Sequence, residues 1–338
     1  MTTGEKTAER TAAQAARPHW HILGSGAMAC LWAEALCRSG ATVSLISRHG
    51  NAPILQRIRY RTIKGEQREC EVELLCAEQL GCQRIERLLI ATKAQDASIA
   101  LHSVASRLTP RASLLSLCNG LGMHAALQQC LEQHAPDGQL LLAVSTDGAK
   151  LNAPFDVLYS GIGHSWIGRY REIEKQSEGA EKNTVAREKP ATEFPPPHLP
   201  PHFPLQYSYC DDISAPLWKK FFINCVINPL SVKFDCLNGD LIAREAARSE
   251  TLSLCKELQK LYDCIAVMQG LPDIVLAEEV TQVAEKTAGN SSSMRCDRRR
   301  GRTLEIDHLN GEAQRLAAQH RCHCPLNDAL VQYLATNP

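Results

Sequence analysis

The sequence has no net charge: its 338 residues include 37 Lys and Arg and 37 Asp and Glu. A balanced chain has no overall field to draw it to nucleic acid or to an anionic membrane. It also lacks any apolar run near the ~18 residues that a membrane-spanning helix needs. Residues 1–17 contain no apolar stretch of the secretory-signal type and are expected to form a disordered tail. These absences predict a cytoplasmic protein that binds neither nucleic acid nor a membrane.

Cysteine is abundant, with fifteen residues spread along the chain. Disulfide frameworks belong mainly to short secreted domains, so we expect reduced thiols. The densest group comprises His320, Cys322, His323 and Cys324. No second ligand pair at finger-like spacing accompanies it, and we predict no metal centre there.

The fold class follows from apolar runs that alternate with helix-compatible segments. Such alternation favours a parallel sheet with helices on both faces, the α/β class. A helix is predicted over 30–39, ending before Gly40. The predicted strands are 20–24, 42–46, 88–91, 114–117 and 140–144.

The domain organisation changes after residue 170. We predict an N-terminal domain over 18–170, then a charged and proline-rich linker or insertion over 171–206. The remainder, 207–338, is predicted to be an all-helical domain that carries the substrate site. Its predicted helices are 217–227, 240–269, 274–287 and 304–320.

A glycine-rich turn lies between the first predicted strand and the following helix. Gly24 would permit the tight turn and Gly26 the approach of a pyrophosphate, while Ala29 replaces the usual third glycine. The free N–H groups of the helix would bind the anion. We predict dinucleotide binding, with an ordinary strand-to-helix turn as the alternative. The contacting residues would be Gly24, Ser25, Gly26, Ala27 and Met28.

The end of the second strand indicates which dinucleotide binds. Sites that prefer NAD place an acidic residue there against the ribose 2′-hydroxyl, whereas this chain has Arg48. A guanidinium can pair with a 2′-phosphate, so we predict NADP(H). The alternative is a solvated surface arginine.

Three polar residues share one stripe of a mostly apolar helix. Lys220, Asn224 and Asn228 are spaced at four residues, and Pro229 should bend or end the helix and leave backbone groups free. A lysine among apolar neighbours has a lowered pKa, which suits proton transfer near neutrality. The alternative is a lysine that reaches solvent, with two asparagines capping a kink.

Four further residues are candidates by position. Lys93 and Asn119 follow the third and fourth predicted strands, where open α/β sheets bind ligands. Ser293 and Glu305 lie in two polar stretches of the second domain. Taken alone, they are better explained as helix-capping and first-turn residues than as site residues.

Taken together, these motifs resemble the ketopantoate reductase (2-dehydropantoate 2-reductase) family over residues 20 to about 330. The resemblance implies a Rossmann domain followed by a helical domain of the 6-phosphogluconate dehydrogenase C-terminal type, with the site between them. It implies NADPH-dependent reduction of ketopantoate to pantoate, for pantothenate and coenzyme A synthesis. The matching blocks are 24–28, 91–94, 119–122, 217–220, 224–230, 291–294 and 305–311.

The resemblance also implies roles for individual residues. Lys220 matches the general acid and Glu305 the carboxylate beside it. Lys93 and Asn119 match cleft residues near the nicotinamide and the substrate. The residues that match substrate-binding positions are Asn224, Asn228 and Ser293.

The chain departs from the family pattern at Ala29, at Cys118, where a larger polar residue is expected, and in the long segment 171–204. Two alternatives stay open: a reductase of another 2-oxo acid or a 3-hydroxy acid oxidoreductase with the same architecture, and a non-catalytic NADP(H)-binding sensor or scaffold. The sequence does not distinguish a monomer from a homodimer.

Overall fold

The computed structural model describes residues 17–48, 53–169 and 199–336. Within these residues, eleven strands form one mixed sheet in the order β11-β10-β7-β6-β5-β1-β2-β4-β3-β9-β8. The strands are β1 (His19–Leu23), β2 (Thr42–Ile46), β3 (Ile54–Thr62), β4 (Gln67–Leu75), β5 (Ile85–Ile90), β6 (Leu108–Ser116), β7 (Gln139–Ser145), β8 (Gly148–Ala153), β9 (Asp156–Gly161), β10 (Ser165–Arg169) and β11 (Tyr207–Asp212).

The middle of the sheet is parallel, from β7 through β6, β5, β1 and β2 to β4. The two sides differ, because β10 pairs antiparallel with β7, while β3 and β4 form an antiparallel hairpin. Three helices follow parallel strands: α1 (Ala27–Arg38), α2 (Ala94–Val104) and α3 (His124–His134). The expected α/β class with a parallel central sheet is confirmed.

Both faces of the central sheet are buried, as the continuous apolar runs require. On β5, Leu88 and Leu89 are both fully buried yet belong to two different hydrophobic clusters. Because successive side chains of a strand point to opposite faces, α1 covers one face and α2 and α3 cover the other. The tryptophans Trp20 and Trp32 fill the α1 side.

The second half of the chain is helical after β11. Its central helix, α4, is buried almost all round, with Phe221, Phe222 and Val226 in the core. Tyr262 on α6 packs edge-on against Phe222, with ring centroids 5.5 Å apart. The helices are α4 (Ser214–Lys233), α5 (Asp240–Ala243), α6 (Glu245–Gln269), α7 (Leu276–Lys286), α8 (Ser293–Arg299), α9 (Asn310–Gln319) and α10 (Pro325–Thr336).

Several predicted boundaries need correction. Tyr207–Asp212, assigned from sequence to the helical domain, is a strand of the sheet paired with β10. The end of the predicted linker is also part of the first domain: Leu199, Phe203 and Leu205 are buried, and Phe203 packs on Trp32. These apolar residues are too far apart among prolines to be recognised as core. Residues 1–16 of the predicted tail and residues 171–198 of the predicted linker lie outside the described residues.

The predicted helix 240–269 is two helices, because Arg244 adopts extended backbone with ψ at 122°. The predicted helix 304–320 begins as a short 3₁₀ turn (Ile306–His308) before α9. Helices α8 and α10 were not predicted. Over the described ranges, none of the helices is both long and apolar enough to span a membrane.

Candidate active site

The glycine-rich turn connects β1 to α1 at the carboxyl end of the central strands. Gly24 has φ of +108°, and a Cβ there would lie 2.9 Å from the Ala91 carbonyl oxygen, so only glycine fits. Helix α1 begins at Ala27, three residues earlier than predicted, with Gly26 as its N-cap and no side chain capping it. A Cβ on Gly26 would meet open space. The turn thus presents helix N–H groups to a ligand, as anion sites do.

Arg48 follows β2 at the same edge of the sheet. Its guanidinium forms an ion pair with Asp96, which lies in the first turn of α2. The Arg48 side chain is nevertheless 66% exposed. It is therefore neither an isolated surface arginine nor an unpaired cation.

A partly buried charge cluster joins the two halves of the molecule. Lys93, at the start of α2, donates to Asp297 at 2.6 Å and to Glu305 at 3.1 Å. The backbone N–H of Ala94 donates to the other oxygen of Glu305 at 3.0 Å. Burial alone would lower the pKa of Lys93, but the two carboxylates outweigh it and raise that pKa above its ordinary value. The second domain thus contributes two carboxylates to the first turn of α2.

Asp297 is a member of this cluster that sequence reasoning missed. It lies on α8, one turn after Ser293, and its side chain is only 6% exposed. A carboxylate buried to that degree needs a cation, and Lys93 supplies it. The available signal was an acidic residue one helical turn beyond the polar Ser293 stretch.

Lys220 lies in the second turn of α4, next to the last residue of β7. Its ammonium donates to the carbonyl oxygen of Ser145 at 2.9 Å. Burial lowers the pKa of Lys220 to about 8, and the nearby carboxylates of Glu305 and Asp147 limit the decrease. Glu305 is therefore an electrostatic neighbour of Lys220, but its direct ion pair is with Lys93. The cleft around Lys220 is lined by Cys118, Asn119, Gly120, Ala143, Val144, Leu217, Phe221 and Asn224.

The polar stripe of α4 is continuous, and the helix, which was predicted to bend or end at Asn228, does not end there. It runs through Pro229 to Lys233. Pro229 has no N–H for the carbonyl of Cys225, and the side-chain amide of Asn310 replaces that donor at 2.8 Å. The backbone group that the sequence left without a partner is thereby satisfied from α9. Asn224 faces the cleft, whereas Asn228 is buried.

The remaining predicted residues differ in their relation to the same cleft, and Ser293 is not part of its lining. Asn119 lines it, and the adjacent Gly120 has φ of +82°. A Cβ on Gly120 would lie 2.4 Å from the carbonyl oxygen of His308, so this glycine lets the two domains touch. Ser292, not Ser293, caps α8 by accepting from the Arg295 N–H, and Ser293 is exposed.

Two other features noted in the sequence are Cys118 and the histidine and cysteine group over 320–324. Cys118 is buried, and burial raises its pKa to about 11, so it is a neutral thiol. Among the described residues, no cluster of three or more His, Cys, Asp or Glu side chains has the arrangement of a metal site. The group His320–Cys324 instead places Cys322 Sγ 3.4 Å from Cys264 Sγ.

The fold and the cleft define a two-domain oxidoreductase of the Rossmann type with a helical second domain. Residues 20–172 match the family "Ketopantoate reductase PanE/ApbA", and residues 212–337 match "Ketopantoate reductase PanE/ApbA C terminal". The chain belongs to the ketopantoate reductase family.

Three relatives illustrate this similarity. The 2-dehydropantoate 2-reductase of Escherichia coli O157:H7 is 30% identical, over 92% of each chain. That of Vibrio cholerae serotype O1 is 29% identical, over 93% of this chain and 96% of its own. A solved D-mandelate dehydrogenase, in ternary complex with NADH and anilino(oxo)acetate, shares the fold with a TM-score of 0.73. Its sequence is 20% identical over 94% of this chain and 97% of its own.

Proposed function

We propose that this protein reduces 2-dehydropantoate (ketopantoate) to pantoate with NADPH, in the cytoplasm, as a step towards pantothenate and coenzyme A. The observation that carries the proposal is Lys220: an ammonium with a pKa of about 8 in a cleft between the glycine-rich turn domain and the helical domain. The names of the family and of its curated relatives support the substrate.

The cofactor assignment rests on the turn at Gly24 and Gly26 and on Arg48. The uncapped N-terminus of α1 suits a pyrophosphate, and the open space at Gly26 suits its close approach. Arg48 would exchange part of its pairing with Asp96 for the 2′-phosphate, which a guanidinium can also bind through two parallel hydrogen bonds. When bound, NADPH supplies the hydride.

Lys220 would act as the general acid. Reduction of a ketone converts its oxygen into an alkoxide, which needs a proton and a nearby positive charge. Lys220 provides both at neutral pH, because most of the amine is still protonated below a pKa of about 8. The Ser145 carbonyl holds the ammonium at 2.9 Å and so directs its remaining hydrogens.

The neighbouring polar residues would hold the substrate. Asn224 lines the cleft one helical turn after Lys220, and Asn119 lines it from the first domain. Asn228 continues the stripe on α4, and Ser293 stands at the exposed start of α8. Amide and hydroxyl groups can pair with the hydroxyl and carboxylate of a 2-oxo acid without changing its charge.

Lys93 and Glu305 would organise the cleft at the cofactor side. Lys93 is the N-cap residue of α2, and its two carboxylate partners fix the position of its ammonium. Glu305 accepts hydrogen bonds from Lys93 and from the backbone N–H at the start of α2, and its negative charge also acts on Lys220. Its charge favours the protonated state of Lys220 before proton transfer.

A second candidate substrate is another 2-oxo acid. The similar D-mandelate dehydrogenase structure contains anilino(oxo)acetate and NADH, so the fold accommodates a bulkier oxo acid and the other nicotinamide cofactor. In the present chain the cleft wall includes Leu217 and Phe221, which would contact the acyl part of either substrate.

One assay tests the proposal. Purified protein is mixed with NADPH and ketopantoate, and NADPH consumption is followed by absorbance, with pantoate identified by mass spectrometry. A panel of 2-oxo acids and NADH are compared by kcat/KM. We expect the highest value for ketopantoate with NADPH. A higher value for an aromatic 2-oxo acid would favour the second candidate, and no turnover with any of them would refute both.

A further inference from the structure

The loop after β7 contains a carboxylate that the proposed reaction does not use. Asp147 Oδ1 accepts from the Tyr159 hydroxyl at 2.6 Å and from the Gly163 N–H at 2.9 Å. Its Oδ2 accepts from the hydroxyls of Ser145 at 2.8 Å and of Ser165 at 3.4 Å. The Ser145 hydroxyl in turn accepts from the Asp147 backbone N–H at 3.1 Å. Four donors around one carboxylate leave it little freedom to reorient.

The backbone around Asp147 is shaped to bring these donors together. A Cβ on Gly163 would lie 2.3 Å from the carbonyl carbon of Thr146 and 2.4 Å from the Asp147 nitrogen, so only glycine permits this approach. Tyr159 is buried, and burial together with its bond to Asp147 raises its pKa above the ordinary value. The phenol therefore remains a donor over the whole working pH range.

The hydrogen-bonded cluster around Asp147 is connected to Lys220 through Ser145. Ser145 belongs to both groups, because its hydroxyl is bound to Asp147 and its carbonyl oxygen accepts from the Lys220 ammonium at 2.9 Å. Ser145 is also the last residue of β7 and pairs with Ser165 on β10. A shift of Asp147 would thus move the acceptor that holds Lys220.

Two carboxylates act on Lys220, each from a different element. Glu305 acts from the segment before α9 and Asp147 from the loop after β7, and both oppose the effect of burial on the pKa of Lys220. Glu305 already shares its charge with Lys93. Cys118, on the cleft wall, is a neutral thiol. The charge of Asp147 is surrounded by neutral donors.

We propose that Asp147 is a positioning residue for Lys220, holding the Ser145 carbonyl in place and keeping a negative charge beside the ammonium. The inference rests on the proposed function, in which Lys220 supplies the proton. Asp147 would thus affect the protonation and the position of the Lys220 ammonium in addition to Glu305.

The first test needs no substrate. The rate at which an amine-reactive acylating reagent modifies Lys220 is measured against pH by mass spectrometry in wild-type protein and in Asp147→Asn. We expect the midpoint for Lys220 to fall by at least about 0.5 pH unit in the variant, since an opposing charge is lost. Lys219, which pairs with Glu279, is the internal control and should keep its midpoint. An unchanged Lys220 midpoint would overturn the inference.

The second test follows turnover. In Asp147→Asn, the decrease in kcat at alkaline pH should begin at lower pH, and kcat at pH 7 should fall about tenfold because Lys220 is less well placed. Tyr159→Phe is the matched control, since it removes one donor and keeps the charge, so its alkaline decrease should stay at the wild-type pH. Asp147→Glu, which also keeps the charge, should retain the wild-type acylation midpoint. If the asparagine variant does not fold, Asp147→Ser, which also removes the charge, replaces it in both tests.

The outcomes separate the inference from the proposed function. If Lys220→Ala is slow and Asp147→Asn leaves both pH profiles unchanged, the role of Asp147 is refuted and that of Lys220 stands. If Lys220→Ala keeps wild-type kcat, the proposed mechanism fails, and the positioning role fails with it.

Discussion

Replacement of Lys220 by Met should maintain or raise the free energy of unfolding while it lowers kcat. Methionine keeps an unbranched apolar stem but has no charge and no proton. The pKa of Lys220 lies at about 8 instead of the ordinary 10.5, because burial disfavours the ammonium. At 1.36 kcal/mol per pH unit, this difference corresponds to roughly 3 kcal/mol of destabilisation.

The sign follows from proton linkage. The folded pKa is lower than the unfolded one, so the unfolded chain binds the proton more tightly between pH 8 and 10.5. The cost is fully present below pH 8 and disappears as pH rises to 10.5. Lys220→Met removes it but leaves the Ser145 carbonyl without its ammonium donor, at a cost of about 1–3 kcal/mol. We expect the free energy of unfolding at pH 7 to equal or exceed that of the wild type.

Activity should move the other way. Without the proton donor, kcat should fall by at least ~10²-fold, which is ~2.7 kcal/mol in the barrier. Wild-type kcat should decrease above about pH 8, since the deprotonated amine cannot act as an acid, and the variant should lack this decrease. Lys220→Ala and Lys220→Gln should be similarly slow.

The assays are NADPH oxidation with ketopantoate from pH 6 to 10 and urea unfolding at pH 7. Lys219→Met is the matched control, because Lys219 pairs with Glu279 and does not line the cleft, so its kcat should stay near the wild-type value. The reasoning is refuted by a Lys220→Met enzyme that keeps wild-type kcat, or that retains the alkaline decrease.

Three further predictions concern the cofactor, the core and the domain contact. Arg48→Ala should weaken NADPH binding by about 1–3 kcal/mol more than NADH binding, as measured by calorimetry. Asp96→Asn, which removes the ion-pair partner of Arg48, should not weaken NADPH binding. Equal losses of affinity for both cofactors in Arg48→Ala would exclude a 2′-phosphate contact. Burial lowers the pKa of His21 to about 4, so His21 alone should contribute about 2 kcal/mol to the fall in stability between pH 7 and 5 in urea unfolding, and His21→Gln should lose less stability than the wild type over that range. Gly120→Ala should lower both Tm and kcat, because its Cβ would meet the His308 carbonyl; a variant with wild-type values of both would show that the domains separate without cost.

Local pattern was sufficient for the central strands, because a strand covered on both faces is a short continuous apolar run with turn residues at its ends. Strands β1, β2, β5, β6 and β7 were all predicted this way. Strands β3 and β4 were not. Arg57, Arg59 and Arg61 alternate with partly apolar positions along β3, and its partner β4 carries one arginine and three glutamates. This alternation has the two-residue period of a half-exposed strand, and it was missed because only continuous apolar runs were interpreted as strands.

The sequence by itself determined the stripe of Lys220, Asn224 and Asn228, because residues four apart share one face of a helix whatever surrounds it. It also determined the glycine-rich turn, since Gly24 must adopt a positive φ. Both are local properties of the backbone.

Only the tertiary structure decided which residues, far apart in sequence, form ion pairs or hydrogen bonds with each other. Lys93 and Asp297 are 204 residues apart in sequence yet 2.6 Å apart in space. The amide of Asn310 reaches the carbonyl that Pro229 leaves free from 85 residues away. The first pairing depends on how the two domains dock and the second on how α9 lies against α4 within the helical domain. A polar group has no preferred partner until burial removes the water that would otherwise solvate it.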